Sequence, residues 1–148
     1  ARHVLGYEDA NSIELDPATK HPVIALMPDQ ESVEDLGGTL RLGSYPCVLA
    51  DSSRALELFG KKEIQERHRH RYEVNNAYRE ELAAKGMTIA GTSPDGHIVE
   101  MIEIKDHPFY EGTQGHPEFK SRPNLPHPLF DGFVKAAVAY EAAGSSAV

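Results

Sequence analysis

With 148 residues, 40% of them hydrophobic and 26% charged, the chain is long enough for one globular domain with a proper core. Its 15 basic and 23 acidic side chains give a net charge of −8, which argues against wholesale binding of nucleic acid or an anionic membrane. No apolar run reaches membrane-spanning length and no signal-peptide pattern is present; a single cysteine allows no internal disulfide, which fits a cytoplasmic protein.

The first residues, Ala1-Arg2-His3-Val4-Leu5-Gly6, lack methionine and read as the last turns of a helix closed by glycine. A natural chain rarely begins inside a helix, so a portion of a longer protein is expected. A polar, irregular stretch from Glu8 to Lys20 precedes Pro22–Met27, whose unbroken apolar run predicts a strand buried on both faces. A polar loop over Asp29–Asp35 reaches Gly37-Gly38, and an extended segment from Thr39 to Leu49 follows, broken near Gly43 and Pro46. Ser52 or Ser53 caps a short helix over Arg54–Phe59 that Gly60 stops. Asn76 is placed to cap a helix over Ala77–Lys85, ended by Gly86. Met87–Thr92 and His97–Ile104 read as strands joined by the turn Ser93-Pro94-Asp95-Gly96, and Phe109–Gln114 as one more. Beyond a proline-rich connector, Leu129, Phe130, Phe133, Val134, Ala137 and Val138 recur at i, i+3/i+4, predicting an amphipathic helix packed on a core and frayed from Gly144. Strands mixed with amphipathic helices, without repeats, point to a single α/β sandwich-like domain.

Three features bear on chemistry. In His116-Pro117-Glu118 the proline drives His116 toward an extended conformation, which would project residues i and i+2 to one side. The imidazole could then act as general base with the carboxylate as its orienting partner; the alternative is a surface loop. In the block Glu66-Arg67-His68-Arg69-His70-Arg71-Tyr72-Glu73, period 2 puts Arg67, Arg69 and Arg71 on one face and His68, His70 and Tyr72 on the other. The arginines suit a carboxylate or phosphate, or else they are the charges of a solvated edge strand. His68 and His70 with Glu73 could ligate a metal as in a cupin-type barrel, but no second His-rich motif completes the set, and no metal site is assigned. Cys47 lies in Tyr45-Pro46-Cys47-Val48-Leu49, without a glycine-flanked elbow, and reads as a buried structural thiol.

Taken together, five stretches resemble the glutamine amidotransferase domain of the CTP synthase family over essentially the whole chain: Ala10–Glu14, Gly37–Gly43, Glu66–Asn75, Gln114–Phe119 and His127–Phe133. The Arg/His block is specific to that family, and His-Pro-Glu is shared by triad amidotransferases at large. The resemblance implies an α/β fold, part of a class I glutamine amidotransferase (flavodoxin-like) domain with its N-terminal half missing. It implies a Cys-His-Glu triad that hydrolyses L-glutamine and passes ammonia to an N-terminal synthetase domain of the same parent chain. There UTP, activated by ATP with magnesium, is aminated to CTP, and GTP promotes the glutaminase step; the family forms tetramers, largely through the synthetase part.

By position, His116 and Glu118 match the family's base and its carboxylate partner, and Glu14 and Arg71 match its glutamine-binding residues. Glu and Arg also complement the ammonium and carboxylate of a free amino acid. The family's nucleophilic cysteine lies upstream of Ala1, together with the oxyanion-hole glycines, so this chain alone is expected to be inactive and unstable. Ile13 stands where the family commonly has Thr, and Gly115 where it often has a bulkier residue. A non-catalytic glutamine-binding module that lost its nucleophile is the competing class, and a cupin-like metal domain the third.

Overall fold

In the computed structural model, residues 1–26 and 41–145 are described; the polar loop and the Gly37-Gly38 pair lie outside them. The period-2 runs of the middle of the chain build one antiparallel sheet. It comprises β3 (Arg41–Leu49), β4 (Glu63–His70), β6 (Met87–Thr92), β7 (Val99–Ile104) and β8 (Glu111–Thr113), in the order β4-β3-β6-β7-β8. A second sheet joins β1 (Asn11–Ser12), β2 (Pro22–Leu26) and β5 (Tyr72–Val74), with β1 parallel and β5 antiparallel to β2.

Strand β3 runs unbroken through Gly43 and Pro46, contrary to the expected interruption. Leu49 donates its N–H to Lys62 on the β4 side and Ala50 to Ala90 on the β6 side. Alternation then points Pro46, which has no donor, toward β6, where pairing covers only Val48 and Leu49. The proline therefore costs the sheet no ladder bond.

Helix α1 (Arg54–Phe59) starts at Ser53, whose hydroxyl accepts from the Leu56 N–H, and ends at Gly60, as the capping chemistry predicts. The next helix is displaced from its expected start. Asn75, rather than Asn76, caps a 3₁₀ turn at Asn76–Tyr78 by accepting from the Ala77 N–H, and α2 (Arg79–Ala84) follows. The hairpin β6–β7 closes through Ser93–Gly96 as expected, with the Gly96 N–H on the Ser93 carbonyl at 2.8 Å. At the N-terminus Leu5 donates to the Ala1 carbonyl, a single turn before Gly6.

Two burial expectations are overturned. Strand β2 is half-buried throughout, because its sheet has three strands among the described residues and an apolar cleft of about 200 Å³ separates Ile24 and Val74 from β7 and β8. Helix α3 (Pro128–Ser145) is held mainly by its first turns: Leu129 is buried, and Gly132 lies so close to α1 that a Cβ there would stand 2.6 Å from Leu58. Phe133, Val134 and Val138 are exposed. The apolar stripe forms, but little of the described chain covers it. The core proper gathers Cys47, Leu49, Ala55, Ile64, Ala90, Met101 and Leu129 between the large sheet and the roots of α1 and α3. Cys47 is 1% exposed there, and burial pushes its thiol up to about 12, as suits a packing residue.

Candidate active site

His116 and Glu118 meet; His116 stays out of the α region (φ −111°, ψ 83°), as the proline requires, but the chain beyond it is not extended. Pro117 starts a 3₁₀ turn at Pro117–Phe119, since its fixed φ suits the first helical position. The turn folds Glu118 back, so His116 Nδ1 and Glu118 Oε1 lie 2.7 Å apart. An ionised carboxylate only accepts, so Nδ1 carries a proton, and in the neutral imidazole the lone pair lies on Nε2. That is the state a general base requires. The hydrogen bond from His116 holds the Glu118 carboxyl below its usual range, so it stays an acceptor at neutral pH. The imidazole stacks on the Phe119 ring at 5.2 Å and is 35% exposed, open to a proton donor from outside.

The edge of β4 carries this turn. The His116 N–H donates to the Arg67 carbonyl at 2.8 Å, using a main-chain acceptor that no other strand among the described residues occupies. Gly115 makes the approach feasible: a Cβ there would stand 3.1 Å from the Glu66 Cβ and 3.2 Å from Thr113 Oγ1. The glycine therefore brings the loop close to β4.

Beyond His70 the chain leaves the large sheet and enters β5, so the arginines do not form one continuous stripe. Arg67 and Arg69 are exposed on β4, while Arg71 is half-buried in the bend between strands. That bend lines a cavity of about 430 Å³ with Ser12, Glu14, Ile24, Arg69, His70, Arg71 and Tyr72. Glu14 and Arg71, matched separately in the sequence, thus share one pocket with opposite charges on its wall. His116 lies near enough for its charge to bear on His70.

The inner face of β4 holds a buried polar relay. The Tyr72 carbonyl can only accept, so His70 Nδ1, 3.1 Å away, carries a proton and leaves His70 Nε2 as an acceptor. His68 Nδ1, 3.0 Å from that atom, then donates. Burial lowers both histidines, His68 to about 3, with Arg41 adding to the effect, and both are neutral at physiological pH. Arg41 forms a 2.5 Å ion pair with Glu100, which lies 3.6 Å from His68 Nε2; burial still raises the Glu100 carboxyl above its usual range. Among the described residues, His68, His70 and Glu100 could each turn a ligand atom to one point. Glu73, the third ligand considered from sequence, is buried on β5 outside that group. A metal would have to displace the His68–His70 hydrogen bond and sit beside the Arg41 guanidinium.

Sequence reasoning missed Glu100, Arg41, Glu66 and His127. Glu66 had a readable signal, because it alternates with Ile64 and His68 on the buried face of β4. Glu100 and Arg41 had none, since each depends on a partner strand.

Known proteins resemble this chain in sequence and in fold. The glutamine amidotransferase class-I family model matches residues 10–136. A CTP synthase of Staphylococcus aureus (strain JH9) is 58% identical over 141 residues, which is 95% of this chain and 26% of that relative. The chain thus spans about a quarter of the length of the curated relatives it matches. The solved glutaminase domain of Trypanosoma brucei CTPS with bound acivicin superposes with a TM-score of 0.86 at 33% identity, covering 93% of this chain and 54% of that one. A Thermoplasma acidophilum protein described as a GMP synthase component shares the fold at a TM-score of 0.52 and 21% identity, over 72% of this chain and 48% of that one. With most of its length matched by the family model, the chain belongs to the glutamine amidotransferase class-I family.

Proposed function

We propose that these residues are the C-terminal, base-bearing portion of the glutaminase domain of a CTP synthase. The observation that carries this is the 2.7 Å contact between His116 Nδ1 and Glu118 on a loop fixed to β4, whose other end forms a pocket with Glu14 and Arg71. His116 takes the proton from a nucleophile through Nε2, and Glu118 fixes the tautomer and stabilises the imidazolium. Glu14 and Arg71 complement the ammonium and carboxylate of L-glutamine. Two-thirds of a triad is present.

The nucleophile is supplied by a residue outside this chain. Cys47 is unsuited to the role: it is buried, and its thiol is pushed up to about 12, far from a neutral-pH thiolate. The isolated 148-residue chain therefore releases no ammonia from glutamine. In the parent protein the ammonia passes to the synthetase domain, where ATP with magnesium activates UTP for amination to CTP and GTP promotes the glutaminase step. None of these nucleotides is assigned to residues of this chain, and the homotetramer expected of the parent is attributed to the synthetase part. Among the described residues no helix is long and apolar enough to cross a membrane.

The test is His116→Ala in the parent protein. Glutamine-dependent CTP formation falls by about 10²–10⁴-fold, the usual contribution of a positioned base. CTP formation from added ammonia is retained. Equal loss of both activities, or full retention of glutamine use, would overturn the reading.

A further inference from the structure

Resting on that reading, we propose that Glu66 and Lys120 are positioning residues for His116, a clamp that fixes the base-bearing loop against the free edge of β4. Glu66 is 4% exposed, yet both of its oxygens are engaged by the segment that follows His116. Oε1 accepts from Lys120 Nζ at 2.9 Å, and Oε2 meets His127 Nε2 at 3.1 Å. The direction of the second contact is fixed by His127 Nδ1, which accepts the Leu129 N–H at 3.3 Å and leaves the proton on Nε2. Burial pushes the Glu66 carboxyl up, but the hydrogen bonds from His127 and Lys120 outweigh it and hold it below the usual range.

Lys120 also donates to the Gln65 carbonyl, while His116 donates to the carbonyl of Arg67. In a strand, carbonyls two residues apart point the same way. The loop is thus tied to successive outward acceptors of one edge, on both sides of the 3₁₀ turn that holds the His116–Glu118 pair. Lys120 caps that turn, its N–H on the Pro117 carbonyl, so a displaced Lys120 carries Glu118 and His116 with it. His127 ties the same carboxylate to the start of α3, where its carbonyl accepts from Phe130 and Asp131. A charge that composition would place in solvent instead sets the distance between the base and the strand leading to the Glu14–Arg71 pocket.

Because Glu66 is buried, its substitution risks unfolding, and the decisive variants are at Lys120, whose side chain is 38% exposed. In the parent protein, Lys120→Met lowers kcat for glutamine hydrolysis about tenfold with KM within about twofold, since sub-ångström misplacement of a reacting group is paid in rate rather than binding. Lys120→Arg, which keeps the donors, restores most of the loss, and CTP formation from added ammonia stays unchanged throughout. The proposal is overturned if Lys120→Met leaves kcat intact, if only the melting temperature moves, or if Lys120→Arg is as slow as Lys120→Met. If His116→Ala itself keeps glutamine hydrolysis, the underlying assignment of the base has failed instead.

Discussion

Strand β4 reads Glu-Ile-Gln-Glu-Arg-His-Arg-His and leaves Glu66 and His68 only 4% and 3% exposed, whereas helix α3 leaves Phe133, Val134 and Val138 at 57%, 58% and 61%. A strand rich in charge contributes buried groups, and the apolar stripe of a long helix faces outward. The difference lies in what surrounds each element. On the inner face of the sheet, Arg41 of β3 and Glu100 of β7 gather beside His68, and Lys120 and His127 close over Glu66. The ionisable groups of β4 are thus taken out of water and meet partners there. Helix α3 meets the rest of the described chain mainly through Leu129 and Gly132 near its start. Hydrophobicity gives the tendency to be buried, and neighbours decide whether it is satisfied.

The sharpest way to break this contrast is Arg41→Met. It leaves Glu100 buried without its cation, and the cost is about 3–5 kcal/mol, typical of removing one member of a buried ion pair. Urea unfolding of the domain at neutral pH and again near pH 5 measures it. The loss shrinks toward lower pH, because a Glu100 carboxyl already raised by burial takes up a proton more readily once its cation is gone. An equal loss at both values would mean that the pair is not the source.

A smaller effect is expected from Glu111→Gln on β8. Burial pushes the Glu111 carboxyl up to about 7, and the cross-strand carboxylate of Glu103 adds to this. The native state therefore holds a proton that the unfolded chain has already lost. The resulting stability is complete below the ordinary carboxylate range and disappears as pH rises through about 7. Wild type then loses on the order of 1–2 kcal/mol between about pH 5 and 8, and the Gln variant shows a flatter profile. Parallel profiles would show that Glu111 titrates normally.

The smallest effect tests the other side of the contrast. Val138→Ser on α3 changes stability by less than about 0.5 kcal/mol if that face stays open to solvent. A loss of about 2 kcal/mol or more in the parent protein would show that the stripe is covered there.

Much of the local structure was legible because a few adjacent residues decide it. Ser53 and Gly60 bracket α1, and Ser93–Gly96 closes the hairpin, through interactions that span four residues or so. The pairing of His116 with Glu118 belongs to the same class, since Pro117 constrains both neighbours. Even so, the proline achieves it by opening a 3₁₀ turn rather than by extending the chain. The shift of the cap from Asn76 to Asn75 marks the limit of such reading, because both residues have the same chemistry and only the path of the chain leaving β5 selects between them.

The sequence by itself determined the family resemblance, the pairing of His116 with Glu118, and the alternation that puts Ile64, Glu66 and His68 on one face of β4. Only the tertiary structure decided that this face is the inner one. It also decided that Glu100 rather than Glu73 meets the histidine pair, that the arginine stripe ends at a bend, and that Glu66 reaches Lys120 and His127. The physical reason is distance along the chain: Glu66 and His127 are 61 positions apart. Periodicity records which residues share a face, but a buried carboxylate is stable only where the fold brings its donors, and no local pattern encodes that meeting.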